Sequence, residues 1–117
     1  MHEIGVTFYV VRDVKAAAEE NGIEKVDSVT LEIGEVSGVV HDQLIDCWNW
    51  AKKKEPVTEN TELKIETLEA ITFCEDCKGE YRTLDHGKIC PYCKSDKTYL
   101  IRGKEFNIKE IAVYDEE

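Results

Sequence analysis

The residues of this chain best suited by type and spacing to chemistry are four clustered cysteines. Cys74, Cys77, Cys90 and Cys93 lie in "CEDCKGEYRTLDHGKICPYC", a C-x2-C-x12-C-x2-C pattern. Each C-x-x-C pair bends the backbone so that two thiolates meet one ion, and the intervening residues form a short ribbon that brings the second pair opposite. Four thiolates in a tetrahedron suit structural Zn²⁺. A rubredoxin-like iron centre and a disulfide switch are the alternatives the same residues allow. The filled zinc site is doubly negative, and Lys78, Arg82, Lys88 and Lys94, in or beside the loops, can offset it.

A second candidate stands at the chain start, Met1-His2-Glu3. A free α-amine is a nitrogen ligand. The Met1 amine, the His2 amide nitrogen and the His2 imidazole can close adjoining chelate rings on one ion, and Glu3 can add its amide nitrogen or a carboxylate oxygen. Nitrogen-rich planar coordination of this kind suits Ni²⁺ and Cu²⁺. So short a match is common, and the metal reading draws its weight from context.

Other reactive residues read more plainly. Cys47 falls in the apolar stripe of a helix and is expected to be buried packing. His41 is a cap-region or solvent residue near the start of that helix, with a metal role as the alternative. His86, between the cysteine pairs, is a loop residue or an alternative zinc ligand. Trp48 is expected in the core, and Trp50 partly exposed. Phe73, Tyr81, Tyr92 and Tyr99 could stack on bases, but in so small a module they are expected to form its core. There is no Ser–His–Asp arrangement, phosphate loop or zinc-protease helix, so catalysis is not expected.

The balance of the chain narrows the partners. Its net charge is −10 over 117 residues. Residues 1–70 carry −8, residues 71–103 carry +1 and residues 104–117 carry −3. A nucleic-acid binder needs a basic face; an acidic chain favours cations or cationic partners. No apolar run approaches the roughly 20 residues of a membrane helix. The start shows neither a basic n-region nor an apolar h-region. A cytoplasmic protein is expected, and in a reducing compartment clustered cysteines favour metal over disulfides.

These residues must be positioned by a small set of elements. "IGVTFYVVRDVKAAAEENG" carries Ile4, Phe8, Val11 and Ala18 at helical spacing, ends in helix formers and stops at Asn-Gly, so a helix is expected over about residues 4–20. "VDSVTLEIGEV" alternates, with Val29, Leu31 and Ile33 on one face of a strand. Leu44, Cys47, Trp48 and Ala51 mark a second helix, with Lys52, Lys53 and Lys54 at its C-terminal end and Pro56 beyond. "TELKIETLEA" is a second strand with Leu63 and Ile65 inward. "EFNIKEIAVY" is a third, with Phe106 and Ile108 in one phase and Ile111 and Val113 in the other, which a bulge near Lys109 or Glu110 reconciles. The last strand lies beyond the cysteine segment yet reads as core sheet. The expected fold is therefore α+β. A three-stranded sheet with two helices forms a discontinuous domain, 1–70 and 104–117, and a zinc ribbon is inserted at 71–103.

The opening "MHE", the stretch "LEIGEVS" and the late pair of C-x-x-C motifs, in this order, resemble the HypA family of hydrogenase maturation factors over nearly the whole chain. The resemblance implies a nickel-binding domain with an appended zinc domain. It places nickel at His2, with the Met1 amine and Glu3 in support, and zinc on Cys74, Cys77, Cys90 and Cys93. It implies work with a HypB-type GTPase, delivery to the [NiFe]-hydrogenase large subunit and, in some organisms, support of urease maturation proteins. Neither nucleic acid nor membrane is an expected partner. A zinc-ribbon nucleic-acid-binding or partner-docking module without nickel function is the alternative.

Overall fold

The computed structural model describes residues 3–114. The chain forms α1 (Glu3–Glu20), β1 (Ser28–Gly34), α2 (His41–Ala51), a 3-10 turn (Lys52–Lys54), β2 (Glu62–Leu68), β3 (Ile71–Cys74), β4 (Glu80–Arg82), α3 (Thr83–His86), β5 (Thr98–Arg102) and β6 (Phe106–Ala112). One three-stranded sheet runs in the order β2-β1-β6, another in the order β4-β3-β5. The α+β class holds, and the last strand lies beside β1 although the whole cysteine segment precedes it. The chain divides into two compact units. One comprises the described parts of Met1–Glu32, Val39–Glu66 and Asn107–Glu117, the other Ile33–Gly38 and Thr67–Phe106.

In the first unit, α1 begins as a helix despite its β-branched start. The face it buries matches the expected one at Val11 and Ala18 but not at its start. Glu3, Thr7, Val10, Val11, Val14 and Ala18 are buried, whereas Ile4 and Phe8 are 39% and 42% exposed. The stripe can turn this way because its polar members are satisfied. The Thr7 hydroxyl donates to the Ile4 carbonyl at 2.7 Å, and the Glu3 carboxylate accepts the Val40 N–H at 3.1 Å. Phe8 instead meets Trp50 of α2 edge-on, ring centroids 5.6 Å apart. The helix closes at Asn21-Gly22: Ile23 N–H donates back to the Ala18 carbonyl at 2.8 Å and Gly22 N–H to Glu19 at 3.3 Å, the paired bonds of a Schellman stop.

Val29 and Leu31 of β1 are wholly buried, as the alternation requires, and so are Leu44, Trp48 and Ala51 of α2; Ile33, next in the same phase, is also buried and is counted with the second unit. Trp48 Nε1 donates to the Thr61 carbonyl at 3.0 Å, and the Thr61 hydroxyl to the Val26 carbonyl at 2.7 Å. Cys47 is half-buried rather than core, because the buried stripe of α2 narrows to the other three residues. The three lysines tighten into the 3-10 turn instead of prolonging α2. Leu63 and Ile65 are half-buried on β2. On β6 the alternation slips where expected: Lys109 and Glu110 are both exposed, and Ile111 and Ala112 both half-buried. Val113, expected inward, is exposed beyond the strand end.

In the second unit, β3 pairs antiparallel with both β4 and β5. The "GEV" of the motif is built into this unit. Glu35 N–H donates to the Leu68 carbonyl and Val36 N–H to the Gly103 carbonyl, each at 2.9 Å. The Glu35 carboxylate accepts the Ala70 N–H at 3.0 Å.

Candidate metal centre

The sequence Cys-x-x-Cys-Lys occurs twice, and each copy folds into the same turn. Lys78 N–H donates to the Cys74 carbonyl and Lys94 N–H to the Cys90 carbonyl, both at 2.9 Å. Cys74 N–H donates to the Gly79 carbonyl and Cys90 N–H to the Ser95 carbonyl, again at 2.9 Å. Lys78 and Lys94 take the same left-handed conformation, φ 64° and 65°. Two equivalent knuckles thus face each other. The first leaves β3, the second follows the loop after α3, and β5 closes the ribbon by pairing Cys74 with Thr98.

The four sulfurs converge. All lie within 4.8 Å of one another, and Cys74–Cys93 and Cys77–Cys90 are each 3.6 Å apart. A zinc–sulfur bond of about 2.3 Å sets tetrahedral sulfurs about 3.8 Å apart, so the donor set fits Zn²⁺. Cys74 and Cys90 are fully buried against Tyr81, while Cys77 and Cys93 are exposed.

The electrostatics point the same way. Burial opposes charge on Cys90, but backbone N–H groups of Cys93 and Tyr92 and the neighbouring thiols overcome it and lower its pKa to about 7. Cys93 is pushed up to about 12 in spite of the Ser95 N–H, because desolvation and the three nearby thiols resist further charge. Cys77 is also raised, against the pull of the Gly79 N–H. Sulfurs this close cannot all ionise without a cation between them.

The remaining ribbon residues divide. Tyr81 is core, its hydroxyl donating to the Gly87 carbonyl at 2.8 Å. Phe73 is half-buried, whereas Tyr92 and Tyr99 are exposed and do not form the expected core. Of these aromatics, Tyr81 is the one that joins Cys74 and Cys90 in a buried cluster. His86 lies outside the sulfur cluster, exposed at the end of α3, with its ring edge-on to Tyr81 at 5.8 Å. Arg82 is engaged by Glu69 at 3.7 Å and Asp85 at 3.5 Å rather than by sulfur. Two contacts had no signal in the cysteine spacing. Ser95 Oγ donates to Asp76 Oδ2, and Glu75 N–H donates to the Lys97 carbonyl at 2.9 Å. Both join one knuckle to the segment after the other.

Of the terminal candidates, Met1 and His2 lie outside the described residues. Glu3 opens α1, buried, and with Ile4 it shares a shallow depression of about 290 Å³ with Gln43, Asp46 and Cys47 of α2. His41 begins α2, half-buried. Among the described residues the only group placed to share one ion is the four cysteines.

Comparison with known proteins agrees with this architecture. Residues 1–113 match the family described as "Hydrogenase/urease nickel incorporation, metallochaperone, hypA". The chain is 32% identical, over 100% of its length and 90% of the relative's, to hydrogenase maturation factor HypA of Desulfatibacillum aliphaticivorans. It is 35% identical to that of Moorella thermoacetica, over 92% of this chain and 95% of the other. In fold it is similar to the nickel metallochaperone HypA from Helicobacter pylori, with a TM-score of 0.72 at 22% identity over 99% of this chain and 100% of that one.

Proposed function

Because the chain belongs to the HypA family of nickel-incorporation metallochaperones for hydrogenase maturation, we propose that it carries Ni²⁺ on its own N-terminus and hands the ion to the [NiFe]-hydrogenase large subunit. The His2 imidazole takes the cargo, with the Met1 amine and Glu3 in support. A HypB-type GTPase is the partner in delivery, a cytosolic step, and urease maturation is a further destination. The observation that carries the reading is the family match across residues 1–113, which includes both the terminal "MHE" and the paired cysteines.

The chemistry required is binding and release rather than turnover. Nickel favours nitrogen-rich planar ligands and zinc a closed sulfur tetrahedron, so one chain can sort two ions. The Glu3 carboxylate, next in sequence to His2, accepts the Val40 N–H just before α2 and so ties the start of α1 to that segment. Cys74, Cys77, Cys90 and Cys93 hold zinc, which supplies a charge-neutralising link between the two knuckles. Backbone N–H groups of Gly79 and Ser95 face the Cys77 and Cys93 sulfurs and favour their thiolate forms. The nickel-binding domain is 1–70 with 104–117, and the ribbon 71–103 is a rigid docking module.

Nickel titration of the wild type and His2→Ala, with zinc content as control, tests the assignment. Loss of His2 is expected to weaken nickel binding at least tenfold, about 1.4 kcal/mol, with zinc retained. Equal affinity in the two chains removes His2 as a ligand.

A further inference from the structure

The sulfur cluster pairs its members in a particular way. Each exposed sulfur has a buried sulfur of the opposite knuckle 3.6 Å away: Cys93 beside Cys74, and Cys77 beside Cys90. An oxidant from solvent meets Cys77 and Cys93 first, while Cys74 and Cys90, at 0% exposure, are shielded. We propose that a hydroperoxide expels the zinc and joins the two knuckles through Cys74–Cys93 and Cys77–Cys90 disulfides, which then hold the ribbon in place of the metal. The part concerning zinc release rests on the zinc assignment above; the connectivity does not.

The chemistry balances in two steps per pair. An exposed thiolate attacks one peroxide oxygen, the O–O bond breaks, water leaves after protonation and a sulfenic acid remains. The buried thiolate of the facing knuckle attacks that sulfur, the S–O bond breaks, a second water leaves and the S–S bond forms. Each pair thus gives two electrons to one peroxide. The whole cluster consumes two peroxides and four protons, yielding two disulfides, four waters and free Zn²⁺.

Connectivity across the knuckles follows from the backbone as well as from proximity. The Lys78-to-Cys74 and Lys94-to-Cys90 hydrogen bonds of the turns can persist in the nested pairing. Bonds within each C-x-x-C would close only very short loops and leave the knuckles unlinked. Nested bonds close longer loops, which restrict the unfolded chain more. They also preserve the Asp76–Ser95 contact between the knuckle segments. Cys47 lies in the other unit and provides an unreacted thiol as internal reference.

The test treats the full-length, zinc-loaded chain with two equivalents of hydrogen peroxide while a chromogenic chelator reports zinc. Release of one zinc per chain is expected, with loss of four hydrogens in the intact mass and reversal by dithiothreitol. Trypsin, cutting after Lys64, Lys78, Lys88 and Lys94, isolates the knuckles as peptides 65–78 and 89–94. Without reductant these must appear as one covalently joined species. Pair identity is read from double variants: Cys77→Ser with Cys90→Ser should cross-link at least tenfold faster than Cys77→Ser with Cys93→Ser. Two separate cyclised peptides, equal rates in the two variants, or oxidation to sulfinic acids without cross-links overturns the proposal. A chain that purifies without zinc overturns the zinc assignment alone, since peroxide mapping then proceeds on the reduced chain as isolated.

Discussion

At the scale of single residues, Glu3 has a structural duty that can be separated from ligation. It is buried, and its carboxylate accepts the Val40 N–H at 3.1 Å. Glu3→Ala leaves that donor without its carboxylate and should lower stability by about 1–2 kcal/mol in urea melts. Glu3→Gln keeps an acceptor oxygen and should recover most of the loss. If the Glu3 carboxylate also ligates nickel, the Gln chain will be stable yet bind nickel more weakly. Nickel binding should also fall below about pH 6, because His2 must be neutral to ligate and an ordinary histidine titrates near 6.5. An N-terminal Gly-Ser extension converts the Met1 amine to an amide while keeping every side chain. It should weaken nickel about tenfold or more, near 1.4 kcal/mol. Unchanged titration curves after extension would leave the imidazole and remove the amine from the site.

At the scale of elements, the second unit depends on a close approach of Gly34 and Gly103. A Cβ on Gly34 would lie 1.9 Å from the Gly103 carbonyl oxygen, and one on Gly103 would lie 2.5 Å from the Ala70 Cβ. Gly103 also has φ +131°, a conformation side chains rarely adopt. Gly34→Ala or Gly103→Ala should each cost about 2 kcal/mol or more, through overpacking and strain. Chemical denaturation measures it; a cost below a few tenths of a kcal/mol would mean that the strands separate freely at this point. The Glu35 carboxylate on the Ala70 N–H and the Glu105 carboxylate on the Gly103 N–H, at 3.0 and 2.7 Å, hold the same crossing. This gives "GEV" a packing role beside any functional one.

At the scale of the whole molecule, the two units have separate sources of stability. One buries Val29, Leu31, Leu44 and Trp48, whereas the buried ribbon side chains are Ile71, Thr72, Cys74, Tyr81 and Cys90, two of them cysteines of the metal centre. Zinc removal should therefore unfold the ribbon and spare α1 and α2. Hydrogen exchange with and without a chelator measures this, and equal protection of residues 74–93 in both states would refute the structural role of the metal. Zinc binding should release protons. Cys93 and Cys77 are raised in the metal-free chain and must give up protons near pH 8. Below the Cys90 value of about 7, another proton competes. Acidification therefore weakens zinc, more steeply below neutrality, as proton-release titration at the two pH values can show. None of the described helices is long and apolar enough to cross a membrane.

Much of this was already legible in the sequence because it depends on local periodicity or on fixed chemistry. The alternation of Val29, Leu31 and Ile33 is sufficient for a half-buried strand, and the phase slip on β6 is visible in its apolar residues. The twin C-x-x-C pairs name a sulfur-rich site because four thiolates need a cation wherever they are brought together. Tertiary structure decided what depends on neighbours. Helical spacing permits either Ile4 with Phe8 or Thr7 with Val10 to face inward, and the satisfied Thr7 and Glu3 select the second. Cys47 follows the apolar pattern of α2 yet stays half-buried, because burial depends on what packs against a helix and not only on its period. Four ribbon aromatics look alike in sequence, but only Tyr81 joins Cys74 and Cys90 in a buried cluster. The closeness of Gly34 to Gly103, 69 positions apart in the chain, has no local signal at all, since it arises only when distant backbone segments meet.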